Sequence, residues 1–299
     1  VGLVLLLGGG EGLVRGGVAL ATRARLPMAV VGAVVLGFGT SMPELLTSIS
    51  AALSGAPGIA IGNVLGSNIA NILLILGVAA VITPVRADIA AAEDQVWLAM
   101  ATVLGLGVIL VGAMVGRVEG VLLLVALGVY LWRALARDTA AEAVPSIPGM
   151  GAGRIALFLG GGLAALIGGA WLLVEGATGI ARLLGVSETV IGLTVVAVGT
   201  SLPELATSVT AARRGEAELA LGNVLGSNVF NILAILGLTA TLVPIDVPPG
   251  LSAVDLTLFA GAAALLLLLL FIGRIGRAAG AGMLLAYAAY IAWLATHGG

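Results

Sequence analysis

Apolar residues run along this chain in blocks of about 20, each long enough to cross a hydrocarbon core, with short polar or proline-bearing interruptions between them. The blocks fall at roughly 3–22, 28–53, 58–82, 95–115, 119–136, 155–176, 187–212, 218–242, 252–272 and 276–296, which predicts an all-α membrane protein with ten transmembrane helices. Breaks fall at Pro27, Pro84, Pro145, Pro148, Pro244, Pro248 and Pro249. The stretch 137–152 carries charge, Pro and Gly without apolar periodicity and reads as a short linker. It divides the chain into 1–136 and 153–299, with five spans in each half.

Composition narrows the class. Hydrophobic residues make up 60% of the 299 and charged ones only 9%, with a mean hydropathy of +1.21, more apolar surface than a water-soluble core of this size can absorb. The bilayer is therefore the expected solvent and main partner, with no nucleic acid and no obligatory protein partner expected. No signal-peptide cleavage site is visible, so the first block is expected to be a retained helix. The chain has no cysteine and one histidine, His297, so thiolate and imidazole metal sites, disulfides and Cys or His catalysis are not expected. No cofactor is implied.

The most informative feature is an internal repeat. Residues 39–77 read GTSMPELLTSISAALSGAPGIAIGNVLGSNIANILLILG, and residues 199–237 read GTSLPELATSVTAARRGEAELALGNVLGSNVFNILAILG. A shift of 160 aligns them without a gap, with 25 of 39 positions identical, and the register reaches outward to pair Gly32 with Gly192 and Pro84 with Pro244. Five spans separate equivalent points, so the second copy enters the membrane from the opposite side and the repeats are inverted. All 13 basic residues are Arg. With the N-terminus outside, Arg23, Arg25, Arg86, Arg133, Arg137, Arg154, Arg213, Arg214, Arg274 and Arg277 fall inside, while only Arg117 and Arg182 fall outside, which predicts N-out and C-out.

Each repeat places a glutamate, Glu44 or Glu204, one residue after a proline in mid-span. An ionised carboxylate there is costly without a partner, and neither repeat supplies a cationic side chain, so the natural counter-charge is a bound cation. Pro43 and Pro203 lack an N–H and free the carbonyls near Gly39 and Thr40, and near Gly199 and Thr200. Thr40, Ser41 and Glu44 share a helix face at i,i+3 and i,i+4 spacing, and Thr200, Ser201 and Glu204 repeat the pattern. The next span in each half carries GNVLGSN, which aligns Asn63, Ser67 and Asn71, or Asn223, Ser227 and Asn231, on one face. Inter-helix hydrogen bonding competes with ion ligation for Asn63, Asn223, Asn68 and Asn228, and for the glycines packing is the better reading. The donor set is all oxygen, which selects Na+, Ca2+ or similar hard ions. Two negative charges can be balanced by one divalent ion or by two or more monovalent ions, but hardly by both sets at once, and an exchanger needs that exclusion. A diacid intramembrane hydrolase and a cation channel also fit buried carboxylates, but neither calls for a symmetric shell of hydroxyls and amides supplied by one chain.

The paired GTS(M/L)PEL and GNVLGSN motifs resemble the alpha-repeats of the sodium/calcium exchanger family, within the cation/Ca2+ antiporter superfamily, and the likeness covers essentially the whole chain. The resemblance implies a prokaryotic-type exchanger of Na+ for Ca2+ in the inner membrane, with alpha-repeats at 37–77 and 197–237 and long first and sixth helices that slide as a gate. It implies that Thr40, Glu44, Thr200 and Glu204 form the Ca2+ site. Ser41, Ser67, Asn71, Ser201, Ser227 and Asn231 would complete flanking Na+ sites, with carbonyls of Gly37 and Ala197 contributing. Some prokaryotic relatives have an aspartate where Asn231 stands, so H+ or K+ coupling and stoichiometry stay open. The short linker implies that the large Ca2+-sensing loop of animal exchangers is absent.

Overall fold

The computed structural model describes residues 1–86, 92–136, 150–184, 197–247, 251 and 253–297. The described residues are helical nearly throughout. We number the helices α1 (Gly2–Ala24), α2 (28–40), α3 (Met42–Leu53), α4 (Pro57–Ile82), α5 (Ala92–Val111), α6 (Arg117–Leu135), α7 (Ala152–Leu183), α8 (Ala197–Thr200), α9 (Leu202–Arg213), α10 (Ala217–Leu242), α11 (Ala253–Phe271) and α12 (Arg277–His297). Most of the expected linker, 137–149, lies outside the described residues.

Eight helices among the described residues are long and apolar enough to cross a membrane alone, fewer than the ten expected spans. The block 28–53 is two short helices rather than one, and the break has a local cause. Ser41 leaves helical geometry at φ −82°, ψ 7°, just before Pro43, whose ring nitrogen has no hydrogen to give the preceding turn. Ser201 breaks the chain in the same way at φ −87°, ψ 7°, before Pro203. The first part of the expected span 187–212, up to residue 196, lies outside the described residues. The backbone widens to a π-helix over Val31–Gly37, Asn71–Leu76 and Asn231–Leu236, the last two starting at equivalent asparagines. Such π-helical turns within α-helices are rare and recur at functional sites.

Contacts between the halves come in pairs that the 160-residue shift exchanges. Four two-residue strands, β1 (Val85–Arg86), β2 (Met114–Val115), β3 (Ile245–Asp246) and β4 (Arg274–Ile275), pair across the halves. β1 runs antiparallel to β4 with Val85 opposite Ile275, and β2 antiparallel to β3 with Val115 opposite Ile245; the 160-residue shift carries Val85 to Ile245 and Val115 to Ile275, exchanging the two pairings. α1 and α7 cross with glycine on glycine. A Cβ on Gly9 would stand 2.7 Å from the Gly162 carbonyl oxygen, and one on Gly2 would stand 2.8 Å from that of Gly169. Only hydrogen at those positions lets the backbones touch, as small residues do in membrane helix pairs.

The largest buried cluster gathers α4, α10 and the helices α5, α6, α11 and α12 around them. A second cluster joins α1, α2, α7 and α9. Large apolar side chains point outward from the outer helices, among them Trp132, Trp171, Leu268 and Phe271, an arrangement suited to lipid and not to water. The apolar window of α10 is 100% buried against 22% for α6, so the two repeat motifs lie inside the bundle and α10 is its axis.

Candidate cation site

The helix breaks bring α3 and α9 together with the π-helical parts of α4 and α10. Glu44 and Glu204 sit in the first turns of α3 and α9, and each is only 1% exposed. Ser41 Oγ donates to Glu204 Oε1 at 3.0 Å, and Ser201 Oγ donates to Glu44 Oε1 at 3.3 Å. Each half thus supplies a hydroxyl to the carboxylate of the other half. The i,i+3 spacing had set Ser41 beside Glu44 of its own helix; the non-helical turn at Ser41 swings its hydroxyl across the interface instead.

The second oxygen of each carboxylate, Oε2, is buried and has no hydrogen-bond partner. Among the described residues, the ion pairs are Glu11 with Arg15 and Arg214, and Glu93 with Arg133, all exposed and away from the site. No arginine among the described residues therefore neutralises the central acids. Asn71 and Asn231, at the heads of the π-helices and each 1% exposed, leave both amide atoms without a partner. Burying such groups unsatisfied costs free energy, and these four lie at equivalent positions on the two sides of one interface.

Around this centre, Thr40 is fully buried and its hydroxyl donates to the Leu36 carbonyl at 3.0 Å, with the Gly37 carbonyl and Asn223 Oδ1 each at 3.4 Å. Ser227 Oγ reaches the Gly37 carbonyl at 3.4 Å. Ser67, 6% exposed, turns its hydroxyl back to the Asn63 carbonyl. Thr200 is half-buried at the end of α8, and Ala197 opens that helix three residues earlier.

The asparagines divide by role. Asn63 Nδ2 donates to the Glu44 carbonyl at 3.0 Å and to Ser48 Oγ at 2.8 Å; Asn223 Nδ2 donates to Ser208 Oγ at 3.0 Å. These two hold the glutamate-bearing helices against α4 and α10. Asn68 and Asn228 reach back along their own helices to Val64 at 2.7 Å and Val224 at 2.8 Å. Ser48, Thr207 and Ser208 are buried next to the glutamates and were not singled out from the sequence. They could have been: Thr47 and Thr207, and Ser48 and Ser208, are identical pairs across the repeat, one turn beyond each glutamate.

Two carboxylates, hydroxyls, amides and nearby backbone carbonyls make an oxygen site with a charge deficit that a hard cation would fill. No group of three or more His, Cys, Asp or Glu occurs among the described residues, so neutral oxygens must supply the remaining ligands.

Comparison with known proteins agrees with this chemistry. The sodium/calcium exchanger protein family profile matches residues 1–136 and 154–296. The chain is 37% identical over 307 aligned residues to the putative antiporter CaxA of Alkalimonas amylolytica, covering 97% of this chain and 95% of that one. It is 34% identical over 290 residues to the sodium/calcium exchanger MaX1 of Methanosarcina acetivorans, covering 83% of each. Among solved structures, the sodium-calcium exchanger NCX_Mj soaked with zero Na+ and Ca2+ superposes with a TM-score of 0.85 at 34% identity, over 98% of this chain and 96% of that one. The chain belongs to the sodium/calcium exchanger family.

Proposed function

We propose that this chain is a secondary active antiporter that exchanges Na+ for Ca2+ by alternating access, with the ions held between Glu44 and Glu204 at mid-membrane. One observation carries the reading: two buried carboxylates, each hydrogen-bonded by the other half's serine, have no cationic side chain beside them among the described residues. Thr40, Glu44, Thr200 and Glu204 hold Ca2+. Ser41, Ser67, Asn71, Ser201, Ser227, Asn231 and the carbonyls of Gly37 and Ala197 complete Na+ sites around it. The ions are cargo, and no covalent bond is made or broken.

The same reading gives the architecture. The α2–α3 and α8–α9 pairs are broken spans that join the eight unbroken helices to make ten, in inverted halves 1–136 and 153–299 joined by a short cytoplasmic linker at 137–152. Arginine placement supports both termini outside, and likeness to relatives such as the inner membrane protein YrbG of Escherichia coli supports a prokaryotic inner membrane.

Radioactive Ca2+ uptake tests the coupling in proteoliposomes preloaded with Na+, K+ or acid and diluted into buffer without that ion. Uptake should follow the outward Na+ gradient alone. Uptake driven by the acid-loaded interior and indifferent to Na+ would replace Na+ by H+ as the coupling ion.

A further inference from the structure

One buried hydroxyl beside the site has no bond to account for it. Thr207 lies three residues after Glu204 on α9 and is fully buried. A threonine in a helix often returns its hydroxyl to a carbonyl one turn back, as Thr40 does to Leu36 at 3.0 Å, Thr102 to Leu98 at 2.7 Å and Thr210 to Ala206 at 2.7 Å. Thr207 Oγ1 makes no such bond, and no other among the described residues. A hydroxyl held away from water without a partner costs free energy that a bound species would recover.

The neighbours of Thr207 narrow the choice of that species. Ser208 faces α10, where its Oγ receives Asn223 Nδ2 at 3.0 Å, and Thr210 faces α1, where a Cβ on Gly10 would stand 3.0 Å from its hydroxyl. At i,i+3 from Glu204, Thr207 shares the side of α9 that carries the carboxylate. The same helix packs on the π-helical turn of α4 that Asn71 heads. Glu204 Oε2, Thr207 Oγ1 and the Asn71 amide are thus buried groups without partners on two helices in contact. All three can present oxygen, and one carries charge. A single carboxylate with neutral oxygens balances a hard monovalent cation, whereas a divalent ion needs both glutamates. A water molecule in that place would leave the charge unbalanced.

We propose that Thr207 Oγ1 is a further ligand for Na+, on an ion held between Glu204 and Asn71, and takes no part in holding Ca2+. This rests on the antiport reading above and adds one oxygen to its Na+ ligands. Thr207 then sets the balance between the two cargoes, because its hydroxyl strengthens the monovalent set alone. Thr239 supplies the contrast: it too is buried with its hydroxyl unpartnered, but it lies eight residues beyond Asn231 on α10, about 12 Å along the axis.

An ion that binds the folded protein raises its unfolding midpoint, so the purified chain in detergent is titrated with Na+ in Ca2+-free buffer and with Ca2+ in Na+-free buffer. Thr207→Val keeps the shape and removes the hydroxyl. It should raise the half-effective Na+ concentration about tenfold, the loss of one contact to a charge, and leave that of Ca2+ and the ion-free midpoint no worse. Thr207→Ser should keep the parent's Na+ response, and so should Thr239→Val. An unchanged Na+ response in Thr207→Val, an equal loss for Na+ and Ca2+, or an equal Na+ loss in Thr239→Val overturns the proposal, as does a parent that Na+ does not stabilise. Thr207→Ala, which adds no atom, decides in its place if the Val variant does not fold. A parent that Na+ stabilises but whose Ca2+ flux ignores the Na+ gradient would defeat the antiport reading and leave Thr207 to be judged by the Na+ titrations.

Discussion

A carboxylate buried at 1% exposure in a bundle of apolar helices persists only if something repays its lost hydration, and one serine hydroxyl is too little for Glu44 or Glu204. The unpartnered Oε2 atoms and the unpartnered amides of Asn71 and Asn231 mark where the missing interactions belong. Glu44→Gln or Glu204→Gln keeps shape and removes charge, so either should abolish Na+-gradient-driven Ca2+ flux; substantial flux in either variant would remove that glutamate from the site. Asn63 acts one step away, through the Glu44 carbonyl and Ser48. Asn63→Ala should weaken Ca2+ binding about fivefold, the worth of roughly 1 kcal/mol of net hydrogen bonding. Asn68→Ala, whose amide only reaches back to Val64, should leave the affinity at the wild-type value, and titration of purified protein compares the two.

At the scale of elements, proline chemistry marked disturbed hydrogen bonding just before Pro43 and Pro203, because a residue without an N–H cannot complete the ladder, but the uninterrupted apolar blocks read as single spans and hid the breaks at Ser41 and Ser201. The π-helical stretches at Asn71–Leu76 and Asn231–Leu236 were not legible. Their sequences are continuous apolar runs, and a one-residue change in hydrogen-bond register leaves no mark in such a run. The partner of Ser41 was hidden for a related reason: spacing along one helix describes neighbours on that helix and is silent about the half that packs across it. Glycine seams show the same limit. Gly120 and Gly128 lie in one helix and look alike in sequence, yet a Cβ on Gly120 would stand 2.6 Å from Thr241 Oγ1 and 2.7 Å from the Gly237 carbonyl oxygen, while one on Gly128 meets nothing within 4 Å. Gly120→Ala should cost roughly 1–3 kcal/mol as overpacking and lower the thermal unfolding midpoint in detergent, and Gly128→Ala should not. Equal midpoints for the two variants would show that α6 and α10 are not packed as described.

For the whole molecule, the repeat was the strongest signal in the sequence, and its 160-residue shift also relates β1–β4 to β2–β3 and places the α1–α7 crossing on its own axis. The sequence could not say that strands from opposite halves pair, since nothing local marks a two-residue strand. Orientation rests on the arginines, and an impermeant thiol reagent can test it. In sealed right-side-out vesicles, Val1→Cys should be labelled from outside and Arg25→Cys, at the end of α1, only after the membrane is opened; the reverse pattern would invert the topology.

The central claim is that Glu44 and Glu204 together hold one divalent ion or several monovalent ions, never both sets. Equilibrium binding of radioactive Ca2+ to the purified protein, titrated with Na+, tests it most directly. We expect saturable Ca2+ binding that Na+ displaces completely and with a Hill coefficient above one, and that is lost in the Glu44→Gln, Glu204→Gln double variant. Ca2+ that stays bound at saturating Na+, or binding that survives loss of both carboxylates, would contradict it.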